Sequence, residues 1–329
     1  MILLFLLCIV LGTFGAWLVI YLSPSMRLID FPNARSSHCT PTPKGGGIGI
    51  LSVFIISAIV TGISKAFWIP ISALAILAFW GDRVELSPKL RLFCQLFLAM
   101  VLIVWMVPYS SDDRSWYLLW MIFGTVYIVG TANFYNFMDG INGIAGITGV
   151  TGFSLLAAYL SSYDEQAPRT IAICISLGCL GFLPLNIPKA KIFMGDIGSI
   201  LLGSVFASLT LLFSKALLDF LCMSSFLFPI YADELITMFI RLKDGENLTH
   251  PHRRHIYQLL ANEKGIPHWK VSVGFGLVQL VIGVSVILIK PHGVLPVFTF
   301  LILCFIIFVT VSLYLRSFLE KSPRPTSGN

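Results

Sequence analysis

Residues 116–160 read "WYLLWMIFGTVYIVGTANFYNFMDGINGIAGITGVTGFSLLAAYL". Two long apolar runs, 116–134 and 141–160, flank a short polar interval that holds Asn136, Asp139 and Asn142. A run of about 20 apolar residues spans a bilayer as a helix, because only a helix satisfies its own backbone polar groups in hydrocarbon. The segment therefore predicts two membrane helices joined by a polar turn. Similar runs recur over the whole chain, near 1–22, 47–64, 67–81, 92–108, 170–187, 198–214, 220–240, 271–289 and 295–315. The 329 residues are 57% hydrophobic and only 12% charged, with a mean hydropathy of +0.87. Soluble chains carry about 25% charged residues. The fold class is therefore all-α, a polytopic integral membrane protein of about eleven transmembrane helices. One transmembrane domain over 1–315 and a cytoplasmic polar tail over 316–329 are expected.

Orientation follows from the positive charges, which concentrate in cytoplasmic loops. If residues 23–46 are cytoplasmic, 17 of the 22 Lys and Arg residues fall on that side and 5 on the other. The first span has no positive charge before it and no small-residue cleavage site after it. It reads as a retained helix with its N-terminus outside, and the C-terminus is then cytoplasmic. The net charge of +6 reflects this topology, with no basic, aromatic-interleaved face for nucleic acid. The seven cysteines sit mostly inside apolar runs at no metal-ligand spacing. "NLT" at 247–249 matches a glycosylation sequon but falls in an expected cytoplasmic loop, where it has no meaning.

The polar residues are one-sided. Loops assigned outside are short, and their acid pairs Asp112/Asp113 and Asp164/Glu165 read as solvated turns. Those assigned to the cytoplasm read "DFPNARSSHCTPTPKGGG" (30–47), "GDRVELSPKLR" (81–91), "NFYNFMDGING" (133–143), "NIPKAKIFMGDIGS" (186–199) and "RLKDGENLTHPHRRHIYQLL" (241–260). Transporters place such groups near the midplane, often in repeated halves; no repeat is evident here. A site on one membrane face favours an enzyme at the cytoplasmic interface over a permease or flippase.

Each constellation also has a plainer reading. Asn133, Asn136, Asp139 and Asn142 step by three beside Gly140, Gly143 and Gly146; a glycine-packed helix pair with amide glue would produce the same pattern. Asp196 lies between Gly195 and Gly198 at the start of the eighth run, where an acid either holds Mg²⁺ or caps the helix. His252, Arg253, Arg254 and His255 fit a diphosphate clamp better than a zinc site, or else form a juxtamembrane basic patch. Asp233, Thr237 and Arg241 share one face of the ninth run, as a structural ladder or as support for the site. "PKGGGIGI" is no nucleotide-binding P-loop, yet its glycines would let Lys44 and backbone amides approach an anionic headgroup.

Together these segments resemble the polyprenyl-phosphate N-acetylhexosamine-1-phosphate transferases, the family that includes phospho-N-acetylmuramoyl-pentapeptide transferase. Loop 30–47, the Asn-x-x-Asn-x-x-Asp-Gly run at 133–140, the segment 186–199 and the His-containing loop 250–260 occur in the family's order, the last in the form of the O-antigen-initiating branch. The resemblance implies transfer of a sugar-1-phosphate from a UDP-N-acetylhexosamine to undecaprenyl phosphate, at the cytoplasmic face of a bacterial inner membrane. It implies Mg²⁺ (or Mn²⁺) on Asp196, a nucleotide site at Asn186, a donor pocket shaped by Asn136, Asp139 and Asn142, and phosphate contacts from His252, Arg253, Arg254 and His255. A homodimer is compatible with it. Two departures stand out. The family's usual aspartate pair is here Gly81–Asp82, which leaves the acceptor-phosphate role to Asp82 or to no acid, or marks a catalytically degenerate paralogue. Asn142 stands where the muramoyl branch commonly has Asp.

Overall fold

A computed structural model describes residues 1–32, 37–84, 86–106, 114–247 and 252–319. Among the described residues the chain is all-α apart from a two-residue antiparallel pairing, Ile29–Asp30 (β1) with Thr42–Pro43 (β2), and an isolated parallel bridge between Lys44 and Phe193. The helices are α1 (Ile2–Met26), α2 (Ile48–Thr61), α3 (Lys65–Arg83), α4 (Pro88–Met106), α5 (Arg114–Phe137), α6 (Ile144–Tyr159), α7 (Gln166–Asn186) and α8 (Gly195–Phe213). They continue as α9 (Leu217–Ser225), α10 (Phe228–Lys243), the single turn α11 (Ile256–Gln258), α12 (His268–Ile289) and α13 (Val294–Leu319).

Every expected run is helical, but the count of eleven spans is revised. Among the described residues nine helices are long and apolar enough to cross a membrane. The ninth run is broken: α9 and α10 meet at 85°. Pro229 stands in the first turn of α10, a position where proline's missing N–H costs nothing and where a new helix starts readily. The second run gives α2, only 14 residues long. The expected boundary at 315 falls inside α13, whose Arg316 is buried; residues 320–329 of the expected tail lie outside the described residues, as do Asp112, Asp113 and sequon positions 248–249.

Helix α8 forms the centre, buried along almost its whole length and packed against α3 and α5. Its serines and threonine are buried as well, and Ser208 Oγ donates to the Ser204 carbonyl one turn back at 2.6 Å, so a polar side chain is satisfied without water. Helices α1 and α7 form another close pair. A Cβ on Gly12 would collide with the Gly178 carbonyl, and one on Gly181 with that of Ile9; small residues let the backbones approach, as helices in lipid require. By contrast α13 exposes Leu295, Phe298, Leu303, Ile306, Ile307 and Tyr314. That apolar surface suits a lipid environment and no aqueous one.

The segments joining α1 to α2, α3 to α4, α5 to α6, α7 to α8 and α10 to α12 meet at one end of the bundle. Phe193 N–H donates to the Pro43 carbonyl at 2.8 Å, while Gly46 N–H and Gly47 N–H donate to the carbonyls of Phe193 and Met194, both at 2.9 Å. These backbone bonds fasten the first polar loop to the one before α8.

Candidate active site

At that end lies a cavity of about 320 Å³. Its walls include Lys44, Asp82, Asn136, Asp139, Asn142, Asn186 and Asp196, residues up to 152 positions apart in sequence.

Asp196 stands in the first turn of α8, where the helix dipole favours a negative charge. Its Oδ1 accepts from Asn136 Nδ2 at 2.9 Å, and its Oδ2 pairs with Arg91 Nη1 at 2.9 Å. Asn136 Nδ2 also donates to Ser199 Oγ at 2.9 Å. Asp82, on the last turn of α3, pairs with Lys44 Nζ at 3.0 Å and accepts the Asp196 backbone N–H on Oδ2 at 3.0 Å. One backbone contact thus links two acids that would otherwise repel.

Gly195 makes this approach possible. Its φ is +74°, and an added Cβ would stand 2.7 Å from the Gly45 nitrogen. Gly195→Ala therefore carries the left-handed backbone penalty of about 1–2 kcal/mol together with a steric clash. It is expected to lower the thermal midpoint of the purified protein and to reduce turnover through displacement of Asp196; unchanged values for both would show that the turn relaxes freely.

Asp139 follows α5 in the turn 138–143, outside the helices. Its carboxylate makes no hydrogen bond among the described residues. Burial, then the nearby Asp196 and Asp82, hold it well above the usual carboxylate range, so it readily carries a proton. Asn186 is buried and ties two loops together: Oδ1 accepts from Gly143 N–H at 2.6 Å, and Nδ2 donates to the Ile192 carbonyl at 2.9 Å. Asn142 sits on the rim, its N–H 3.4 Å from His268 Nδ1.

His252, Arg253, Arg254 and His255, the expected phosphate contacts, do not line this cavity. His255 is buried, its ring nitrogens 3.8 Å from Asp233 Oδ2 and 3.4 Å from Glu234 Oε1. Arg254 pairs with Asp244 and Glu246, both at 2.6 Å. The loop is a brace. It sets Tyr257, whose hydroxyl donates to the Phe137 carbonyl at 2.8 Å, and it delivers Gln258 to the cavity. Sequence reasoning passed over Arg91, which pairs with Asp196, and Asp30, Ser37, His38, Gln258 and His268, which line the cavity.

The brace has a pH signature. Burial and then Arg241 lower His252 to about 4; burial, then His252, Arg316 and Arg241, hold His255 well below its usual range. The unfolded chain, with ordinary histidines near 6.5, binds more protons between about 6.5 and 4. The contribution of these two histidines to stability is therefore expected to rise with pH across that window and to be lost as pH falls through it. Thermal midpoints at pH 7.5, 6 and 5 test this, and His252→Gln should flatten the slope.

Among the described residues no group of three or more His, Cys, Asp and Glu side chains is arranged to hold a metal ion. The donor set fits Mg²⁺ in another way. That ion keeps several waters and commonly takes one or two carboxylates plus substrate phosphates, and Asp196, with Asp82 one backbone contact away, supplies that number.

A bundle of apolar helices with acids, cations and amides gathered in one cavity at one end is the framework of an integral-membrane enzyme. Comparison with known proteins shows what the chain is similar to. The model of glycosyl transferase family 4 matches residues 64–214, a stretch containing Asp82, Arg91, Asn136, Asp139, Asn186 and Asp196. The chain is 24% identical over 317 residues to a probable undecaprenyl-phosphate N-acetylglucosaminyl 1-phosphate transferase of Bacillus subtilis, covering 90% of this chain and 87% of that one. It is 26% identical over 291 residues to the undecaprenyl-phosphate alpha-N-acetylglucosaminyl 1-phosphate transferase of Thermotoga maritima, covering 86% and 88%. Identity to the phospho-N-acetylmuramoyl-pentapeptide-transferase of Staphylococcus epidermidis is 26% over 310 residues, 84% and 95% of the two chains. The similarity to glycosyl transferase family 4 thus covers residues 64–214, and the chain is a transferase.

Proposed function

We propose that the protein transfers an N-acetylhexosamine-1-phosphate from a UDP-sugar to undecaprenyl phosphate, releasing UMP, as the first step of an O-antigen or similar surface polysaccharide. The observation that carries this reading is the convergence of Lys44, Asp82, Asn136, Asp139, Asn186 and Asp196 on one cavity at the polar end of an apolar bundle. A lipid acceptor accounts for the bundle, and a cytosolic nucleotide donor accounts for polar groups at one end only. The setting is a bacterial inner membrane with the cavity facing the cytoplasm.

In the reaction, a phosphate oxygen of the acceptor attacks the donor phosphorus that carries the sugar. The bond from that phosphorus to the oxygen it shares with the UMP phosphorus breaks, and UMP leaves with the bridging oxygen. Phosphoryl transfer of this kind is governed by positioning and charge neutralisation. Lys44 sits where it neutralises a phosphate once Asp82 shares it. Asn136 fixes Asp196. Asp196 would hold Mg²⁺, which supplies Lewis-acid neutralisation of the diphosphate when bound. The acceptor monoester, with a second pKa of about 6, is mostly dianionic near neutral pH and so attacks without a strong base. That chemistry tolerates Gly81 in place of an acid.

The test is UMP release by purified protein with undecaprenyl phosphate, Mg²⁺ and a panel of UDP-N-acetylhexosamines beside the muramoyl-pentapeptide donor. UMP that depends on lipid and metal, with an N-acetylhexosamine donor alone, supports the reading. Turnover of the muramoyl donor instead would assign peptidoglycan synthesis, and no UMP with any donor from folded protein would favour the degenerate paralogue.

A further inference from the structure

We propose that Arg91 competes with the divalent cation for Asp196, so that metal binding in this chain depends on the nucleotide donor; the donor half of this proposal rests on the function proposed above. Both oxygens of Asp196 are occupied by protein: Oδ1 by Asn136 Nδ2 and Oδ2 by Arg91 Nη1, each at 2.9 Å. Each oxygen keeps a lone pair for a cation, but a cation at Oδ2 meets the Arg91 charge at close range.

Arg91 is the partner that yields. Asn136 is held from a second side, through Ser199 Oγ at 2.9 Å. Arg91 ends a long side chain from α4, and its Nε is buried with no hydrogen-bond partner. A guanidinium with an unsatisfied buried donor gains when a phosphate oxygen arrives, since fork-shaped pairing with phosphate is what the group does best.

Gly81 makes the arrangement possible. A Cβ there would stand 2.6 Å from Arg91 Nη2 and 2.8 Å from Nε, so any side chain at 81 would push the guanidinium from its present position. The sequence departure at Gly81 and the ion pair Arg91–Asp196 are thus one feature. It follows that a metal ion approaching the free enzyme meets a carboxylate already neutralised and a fixed positive charge beside it. A diphosphate changes both conditions. It gives Arg91 another partner, frees Asp196 Oδ2, and offers the metal oxygens of its own. Coupling of this kind is reciprocal, so metal raises donor affinity by the same factor.

The experiment measures Mn²⁺ binding to the full-length, detergent-purified protein by the electron paramagnetic resonance signal of free Mn²⁺, with and without saturating UDP. In wild type, UDP is expected to tighten Mn²⁺ about tenfold or more, within the ordinary range of couplings between sites. Arg91→Gln should bind Mn²⁺ about tenfold tighter without UDP and lose most of the effect of UDP. Arg91→Lys should keep part of the wild-type coupling, and Gly81→Ala should show a smaller gain by shifting the guanidinium. A gain in affinity cannot come from a damaged fold, which separates competition from a structural role. Mn²⁺ affinity in Arg91→Gln equal to or weaker than wild type overturns the competition. UDP binding, read by calorimetry on the same samples, separates the two remaining outcomes. UDP that binds without tightening Mn²⁺ overturns the coupling. UDP that fails to bind overturns the nucleotide reading, and the Arg91→Gln titration then decides the competition by itself.

Discussion

Asp196→Asn is expected to lower kcat for UMP release by about a thousandfold, the loss typical of removing one preorganised charge contact in a transfer site, while leaving the thermal midpoint within a few degrees of wild type. The substitution keeps the shape of the side chain and its hydrogen bond from Asn136 (2.9 Å). It removes the charge that pairs with Arg91 at 2.9 Å and that would hold Mg²⁺. Asp82→Asn should cost less. Asp82 touches the centre only through Lys44 Nζ on Oδ1 and the Asp196 N–H on Oδ2, both at 3.0 Å, and the single amide oxygen keeps one of these two contacts. A purified, folded Asp196→Asn protein with near-normal turnover would remove Asp196 from the centre of the mechanism. Its effect on KM for the donor, compared with kcat, would show whether the charge acts mainly on binding or on the transfer itself.

Much of this site was legible because the chain is so apolar. In a sequence that is 12% charged, Asp139 and Asp196 beside amides and glycines stand out, and the structure brings both to one cavity with Asn136, Asn142 and Asn186. Arg91 was hidden by the same statistics. In "SPKLR" it looks like one more cytoplasmic positive charge, and only its place next to Gly81 in space separates it from Lys89. The signal available was the glycine: an acid missing from a pair invites the question of which residue uses the room. His268 and Gln258 carry no local pattern, since the first meets Asn142 across 126 residues and the second reaches the cavity on a brace. The run of His and Arg at 252–255 lies away from the cavity, beside acids of its own. Cations in a polar loop suggest a ligand, but Asp233, Glu234, Asp244 and Glu246 lie close enough to absorb them. The helices were legible from the length of the apolar runs. The break between α9 and α10 was not, because Leu217–Ser225 and Phe228–Lys243 are continuous in hydropathy and differ only in direction.

The largest effect on stability is expected at Asp233. Its side chain is fully buried and accepts the Ile256 N–H on both oxygens, at 3.0 and 3.1 Å. Thr237 Oγ1 lies 3.3 Å from Oδ1, and Arg316 Nη2 is 3.6 Å from the same oxygen. Arg316 is itself buried on α13, and it also donates to Thr237 Oγ1 at 2.9 Å and to the Arg254 carbonyl at 2.5 Å. One carboxylate thus joins α10, the loop before α11 and α13. Asp233→Ala removes the carboxylate beside the buried Arg316 guanidinium, a change that costs about 3–5 kcal/mol in comparable settings. The measurement is the thermal midpoint in detergent, or the inactivation rate where unfolding is irreversible. Because the loop also sets Tyr257 and Gln258, activity should fall even at temperatures where the bundle survives. Arg316→Met with Asp233→Ala provides the control. If the penalty of the single change comes from the stranded charge, removing both partners should cost clearly less than the sum of the two single substitutions. Additive losses would instead assign the stability to the Ile256 and Thr237 hydrogen bonds, and Arg316 would then be an occupant of the brace and not its cause.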